Sequence, residues 1–290
     1  MSEKGLHVSI PAFYFDREKL LQLARDNHNT FTHANPFPHI VFDNFIPVEL
    51  ISLLADEFPR VEEGKWTFWG PGDTIQTKRQ FEKFGTSDET QFGPFTRHFM
   101  MQLNSDTFLR FLQILAGIEH LIPDPSFNRC GMHSTGMGGK LMIHTDQNRY
   151  PIEGRFHQIL NAIFFINPDW REDYGGHLEL WNKDLSKCEA SILPIANRLV
   201  IFETGRFSFH GHPNPVTCPP HRRRNSLAVY YYMWDRPEDG RYQGYQEGVN
   251  WYAVRPEEKL VGKWIKLKRI IKKFVPPILM QVYDKIIGKK

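Results

Sequence analysis

The sequence predicts a mainly β domain, a barrel or jelly roll with helices packed against it. Three observations predict this. From about residue 127, short β-type segments alternate with turn signals such as Gly138-Gly139, Asn167-Pro168 and Gly175-Gly176, the spacing of closed or doubled sheets. The helical stretches precede the strands, so they buttress one sheet rather than alternate with its strands. The 23 Phe, 10 Tyr and 7 Trp among 290 residues can fill a large core.

Taken in order, residues 1–37 read as a polar lead-in with a short helix near 17–26, and 39–45 as a strand. Pro47 starts an amphipathic helix carrying Leu50, Ile51, Leu53, Leu54 and Phe58. Residues 60–92, rich in Gly, Thr and charge but holding Trp66, Phe68 and Trp69, read as a loop that covers the core or a binding site. Residues 94–117 are helical by the spacing of Phe95, Phe99, Met100, Leu103, Phe108, Phe111, Leu112 and Leu115. Strands follow at 140–145, 157–166, 177–181, 189–193, 198–202, 207–212 and 226–233. This divides the chain into a helical and mixed support region at 1–126, a β core at 127–236, and a helical extension at 237–290.

Hydrophobic residues make up 41% and charged residues 24%, the balance of a globular chain. No apolar run approaches the ~20 residues of a membrane span, and residues 1–11 hold no stretch of signal-peptide length. Cys130, Cys188 and Cys218 form no CxxC pair, which argues against a disulfide framework and a structural zinc site. A cytoplasmic location is the expectation. The net charge of +3 is unevenly spread: residues 259–290 hold ten Lys/Arg against Asp284 alone, which leaves −6 for the rest. The apolar stripe of this tail (Leu260, Trp264, Leu267, Ile271, Phe274) admits three readings. It docks on the domain, it lies peripherally on an anionic membrane surface, or it contacts a protein or RNA partner; no specific nucleic acid is predicted.

Chemistry concentrates at His144-Thr145-Asp146 and at Phe209-His210-Gly211-His212-Pro213. Residues i and i+2 of a strand share a face, so His144 and Asp146 present an imidazole and a carboxylate together. Two His and one carboxylate on one side of a metal leave positions open for a chelating co-substrate and dioxygen, the arrangement of non-haem iron(II) oxygenases. His212 shares the strand face with His210 and is the alternative third ligand. An arginine entering the strand at 226 from Arg222-Arg223-Arg224 can hold a carboxylate bidentately, though three consecutive arginines cannot all face inward.

In order, these motifs resemble the prolyl 4-hydroxylase branch, bacterial type, of the iron(II)/2-oxoglutarate dioxygenases. The matching text is His144-x-Asp146, LNAIFFIN at 160–167, Asp169-Trp170, YGGHLELW at 174–181, Pro194 with NRLVIF at 197–202, HGHPNPV at 210–216 and RNSLAVYY at 224–231. PFPHIVFDNFIPVELISLLADEF at 36–58 also resembles the N-terminal part of bacterial members. The resemblance implies a double-stranded β-helix core of jelly-roll, cupin-like type. It implies His144, Asp146 and His210 as ligands of Fe(II), with 2-oxoglutarate and O2 as co-substrates and ascorbate as an accessory reductant.

Arg224, or Arg222 as runner-up, would bind the distal carboxylate of 2-oxoglutarate, with Asn161 and His133 as further contacts. Where related hydroxylases place a tyrosine near the end of the strand after HxD, this chain has Phe164 and Phe165. The implied reaction hydroxylates an unactivated C–H, of a prolyl or other amino-acid residue in a peptide or of a small molecule (a free amino acid, a saccharide or a lipid intermediate), and releases succinate and CO2. Candidate substrate contacts are Arg155, Asn148, Tyr150, Trp66 and Trp69, with Gln147 and Trp181 behind them. A zinc hydrolase at the same triad and a non-catalytic barrel that only binds are the competing classes. The first lacks an evident general base.

Overall fold

A computed structural model describes residues 13–69, 79–127, 129–147, 156–234 and 248–254. Helix α1 (Arg17–Thr32) starts at Asp16, whose carboxylate accepts from the Lys19 amide at 3.1 Å, and buries Leu20, Ala24 and Phe31. Strand β1 (His39–Asp43) and helix α2 (Glu49–Asp56) follow. The helical stretch read as continuous from 94 to 117 is two helices, α3 (Pro94–Leu103) and α4 (Asp106–Ala116). Pro94 occupies the first turn of α3, where the Glu57 carboxylate accepts from the amides of Phe95 and Thr96. Ser105 breaks the run because its hydroxyl caps α4, accepting from the Phe108 amide at 3.3 Å.

Residues 60–92 are not simply a loop. Thr67–Trp69 (β2) and Gln80–Thr86 (β3) pair antiparallel, and β3 continues onto the core sheet. One wall of β3 faces a polar cavity, so the strand lacks the apolar alternation that reveals half-buried strands.

The remaining strands are β4 (Ile122–Pro123), β5 (Gly131–Gln147), β6 (His157–Phe165), β7 (Leu178–Trp181), β8 (Cys188–Ile192), β9 (Arg198–Glu203), β10 (Phe209–His212), β11 (Arg224–Met233) and β12 (Gly248–Trp251). They curl as one antiparallel sheet in the order β1-β9-β6-β11-β5-β10-β7-β8, with β3 and β12 also paired to β5. The segment before residue 127 thus contributes β1, β2, β3 and β4 to the same sheet as the strands that follow it. Strand β5 serves both halves of the curl. Its first part pairs β11 and β3, and its last part pairs β10 and β12. It turns at residues 136–139, where Gly138 (φ 78) donates its amide to the Val216 carbonyl at 2.7 Å.

Period-2 alternation sorts the side chains. Leu160, Ala162 and Phe164 of β6, Leu199 and Ile201 of β9, and Leu227, Val229 and Tyr231 of β11 pack with Phe99, Phe108 and Phe111 of the helices. Burying each of these aromatic or branched side chains contributes roughly 1.5–3 kcal/mol. The Tyr231 hydroxyl also donates to the Leu103 carbonyl at 2.7 Å, tying the end of α3 to β11. The alternate residues Asn161, Ile163, Arg224, Ser226, Ala228 and Tyr230 turn the other way and line a cavity. The helices therefore stiffen the back of the wall that carries the site.

Candidate active site

Two strands bring the central group together. On β5, His144 and Asp146 share a face, and antiparallel pairing sets His210 of β10 directly opposite His144. The imidazole centroids lie 4.3 Å apart, and Nε2 of His144 and of His210 lie 3.7 and 3.5 Å from the Asp146 carboxylate oxygens. One potential ligand atom from each residue falls within 4.8 Å of the others, and all three residues are buried. Each ring is aimed by its own strand: His144 Nδ1 meets the Met142 carbonyl at 2.9 Å and His210 Nδ1 meets the Ser208 carbonyl at 2.8 Å. Backbone acceptors at Nδ1 place that proton there and leave Nε2 free to bind a metal. Asn161 of β6 donates Nδ2 to Asp146 Oδ2 at 3.0 Å and so orients the carboxylate.

The electrostatics suit a divalent cation. Burial, with His210 alongside, pulls His144 down to about 4, so the ring is neutral near pH 7, the form that ligates. Burial pushes Asp146 up, but its close contacts with the two imidazoles and the Asn161 hydrogen bond outweigh it and hold the carboxylate well below its ordinary range. Two imidazole nitrogens and one carboxylate, without a thiolate, are the donor set that fits Fe(II).

Beside this group lies a cavity of about 730 Å³. Arg224 lines it and is buried. Its Nε donates to the Gly176 carbonyl at 2.6 Å, and its guanidinium lies 4.9 Å from the Phe165 ring centroid. Burial pushes it down to about 9, and among the described residues no carboxylate pairs with it. A desolvated guanidinium held in this way is an anion site.

Arg222 is not part of the cavity. It turns outward, donating to the carbonyls of Pro168 at 2.6 Å and Asp169 at 3.3 Å. Asn161 lines the cavity, yet its amide nitrogen is engaged by Asp146. His133 also lines the cavity, and burial, with the Lys83 and Arg224 charges, keeps it neutral. His212 lies in the cavity, both ring nitrogens without a hydrogen-bond partner among the described residues, but outside the His144–Asp146–His210 cluster.

Trp66 is not at the cavity either: it packs on Phe58, centroid to centroid 5.9 Å, as part of the helical core. Trp181 is core, donating Nε1 to Glu179 at 2.8 Å. Trp69 belongs to β2, but its side chain is outside the described set, as are the side chain of Gln147, all of Asn148, Tyr150 and Arg155, and the basic segment 259–290. Phe164 packs on Phe99 at 5.0 Å and Phe165 lies under Arg224, so neither supplies a polar contact.

Three lining residues escaped the sequence reading. Lys83 reaches the cavity from β3. Tyr230, opposite Asn161 across β11 and β6, brings a phenol that burial pushes well above its ordinary range, so it stays a donor. Trp251 of β12 sits opposite His144, with ring centroids 5.0 Å apart. The alternating pattern of 224–231 could have revealed Tyr230, since it shares the strand face of Arg224. Nothing local marks Lys83 or Trp251.

Residues 130–241 match the family model described as the 2OG-Fe(II) oxygenase superfamily. In structure the chain is similar to a prolyl hydroxylase from Trichoplax adhaerens in complex with a hypoxia inducible factor oxygen degradation domain peptide fragment. The TM-score is 0.52 at 16% identity over 74% of this chain and 91% of that one. It is also similar to a Pseudomonas putida prolyl-4-hydroxylase, with a TM-score of 0.51 at 18% identity over 74% of this chain and 100% of that one. No curated protein matches in sequence.

Proposed function

We propose that this chain, a 2-oxoglutarate-dependent dioxygenase whose residues 130–241 match the 2OG-Fe(II) oxygenase superfamily and whose fold is similar to that of prolyl hydroxylases, hydroxylates an unactivated C–H of a prolyl or other amino-acid residue. The observation that carries the reading is a buried His144–Asp146–His210 cluster beside a cavity that also holds a buried arginine without a carboxylate partner among the described residues. The peptide held by the Trichoplax relative supports a polypeptide substrate.

His144, Asp146 and His210 would hold the iron, which supplies dioxygen activation coupled to decarboxylation of 2-oxoglutarate to succinate and CO2. The protein's own residues orient and shield. Arg224, fixed through Nε and the Phe165 ring, keeps its terminal nitrogens for the distal carboxylate of 2-oxoglutarate. Asn161 holds the Asp146 carboxylate in place, and the backbone carbonyls of Met142 and Ser208 keep both imidazoles aimed. Trp251 packs at a tilt against His144 and covers the ring on that side. Tyr230 and His133 are uncharged polar groups on the same wall, placed to donate to an oxygen of the bound co-substrate.

The test is anaerobic addition of Fe(II) and 2-oxoglutarate to the metal-free protein, followed by its visible metal-to-ligand charge-transfer band. The wild type develops the band, His144→Ala loses it, and Arg224→Met needs at least about tenfold more 2-oxoglutarate, the cost of one charge-assisted contact. A folded wild type with no band overturns the reading. Succinate release with prolyl peptides against free amino acids then separates the substrate classes.

A further inference from the structure

Lys83 stands apart from the residues assigned above. Strand register places it with care: Thr135 of β5 is paired on one side with Arg224 of β11 and on the other with Lys83 of β3. Directly paired residues share a face, and two strand spacings put the Lys83 and Arg224 backbones roughly 10 Å apart. The two long cationic side chains therefore enter one cavity from either side of Thr135, and both line it.

The backbone is bent to achieve this. Phe81 pairs with Lys140 but Lys83 already pairs with Thr135, and the residue between, Glu82, has φ 46. A side-chain-bearing residue adopts that left-handed conformation only at a cost, and a bulge of this kind re-aims the side chains that follow it. Two pairs further along, on the same face, Gly85 lies opposite His133 and adds no side chain, leaving room beside Lys83.

Charge points the same way. Among the described residues lining the cavity, Lys83, Arg129 and Arg224 are cationic and Asp146 alone is a carboxylate. Of the two carboxylates of 2-oxoglutarate, one would be held by Arg224, and the other would be taken up at the iron held by His144, Asp146 and His210. A cavity of about 730 Å³ is within the range that takes a drug-sized ligand, so it has room for a substrate group besides the co-substrate.

We propose that Lys83 is a specificity-determining residue that binds a carboxylate of the substrate, so that the group hydroxylated sits beside an acidic residue or a free α-carboxylate. This rests on the dioxygenase reading and narrows its substrate class. Burial, with the Arg224 charge adding to it, pushes the Lys83 ammonium down to about 8; Nζ donates to Gln80 Oε1 at 3.4 Å, and an ammonium carries three donors.

The full-length protein is loaded anaerobically with Fe(II) and 2-oxoglutarate, and its charge-transfer band is followed as matched probes are added. One pair is N-acetyl-L-proline and N-acetyl-L-prolinamide; the other is acetyl-Ala-Pro-Asp-Ala-amide and its Asn counterpart. In the wild type the carboxylate member of one pair perturbs the band at concentrations about tenfold lower or better, and which pair responds distinguishes a free carboxylate from an acidic neighbour. Lys83→Met abolishes the preference, Lys83→Arg retains part of it, and both bind 2-oxoglutarate as the wild type does. Lys83→Gln replaces the methionine variant if that one does not fold. Loss of 2-oxoglutarate binding in Lys83→Met, a carboxylate preference that survives in it, or no preference in the wild type each overturns the proposal. Absence of the band in the wild type is a different failure, of the dioxygenase reading itself, and takes the proposal with it.

Discussion

Asp146 is held by Asn161 at 3.0 Å, and Asn161 in turn accepts from the Gln158 side chain, so the carboxylate is oriented by a buried amide pair. Removing an orienting group of this kind typically costs tenfold or more in metal affinity. Asn161→Ala should therefore bind Fe(II) about tenfold more weakly in chelator competition. Gly176 is a second point of leverage. Its φ is 72 and a Cβ there would come within 2.9 Å of Arg224 Cδ. Gly176→Ala should pay about 1–2 kcal/mol of backbone strain in stability and, by displacing the guanidinium, weaken 2-oxoglutarate binding in the band titration. At this scale His144 and Asp146 were legible because their spacing puts both on one strand face, whereas His210 was separated from His212, which shares its face, only by the family resemblance. The choice between Arg222 and Arg224 needed the fold, since only the direction of entry into β11 decides which of them turns inward.

Strand β1 shows how an element outside the β-rich half is held to it. Arg198 of β9 grips Asp43 of β1 bidentately, at 2.6 and 2.8 Å, at the end of their shared register. The Arg198 hydrogen bond outweighs burial and lowers the Asp43 carboxyl below its ordinary value. A group depressed on folding stabilises the folded state above the unfolded carboxylate range and loses that contribution as pH falls through its folded value. Because the pair is partly exposed, the contribution is discounted to about 0.5 kcal/mol. Asp43→Asn should be less stable in urea at pH 7 by about this amount, and the difference from wild type should shrink as pH drops below about 4. Strands β6, β9 and β11 were readable because one face of each meets helices. Strands β3 and β12 were not, because the faces they present meet charged and polar cavity walls and leave no apolar period.

For the molecule as a whole, a buried carboxylate and two imidazoles sit at the junction of β5, β10 and β6, held among the described residues by one another, two carbonyls and Asn161. A metal that binds only the folded state stabilises it by mass action, by about 2.7 kcal/mol at a hundredfold excess over its dissociation constant. Anaerobic Fe(II) should therefore raise the thermal midpoint, a chelator should reverse the rise, and His210→Ala should show neither effect.

Taken by itself, the order of residues determined the class of fold, the helices that buttress it, most of the core strands, and two of the three side chains that meet at the centre, His144 and Asp146, with His210 or His212 as the third. These follow from local periodicity and from spacing along single strands. The tertiary structure alone decided what shares the cavity with them: Lys83 from a hairpin hidden in a polar stretch, Tyr230 on the strand beside Asn161, Trp251 across from His144, and Trp66 withdrawn into the core. Those placements depend on pairing between strands distant in sequence and on one left-handed residue in β3, which set register and facing, and no local pattern encodes either.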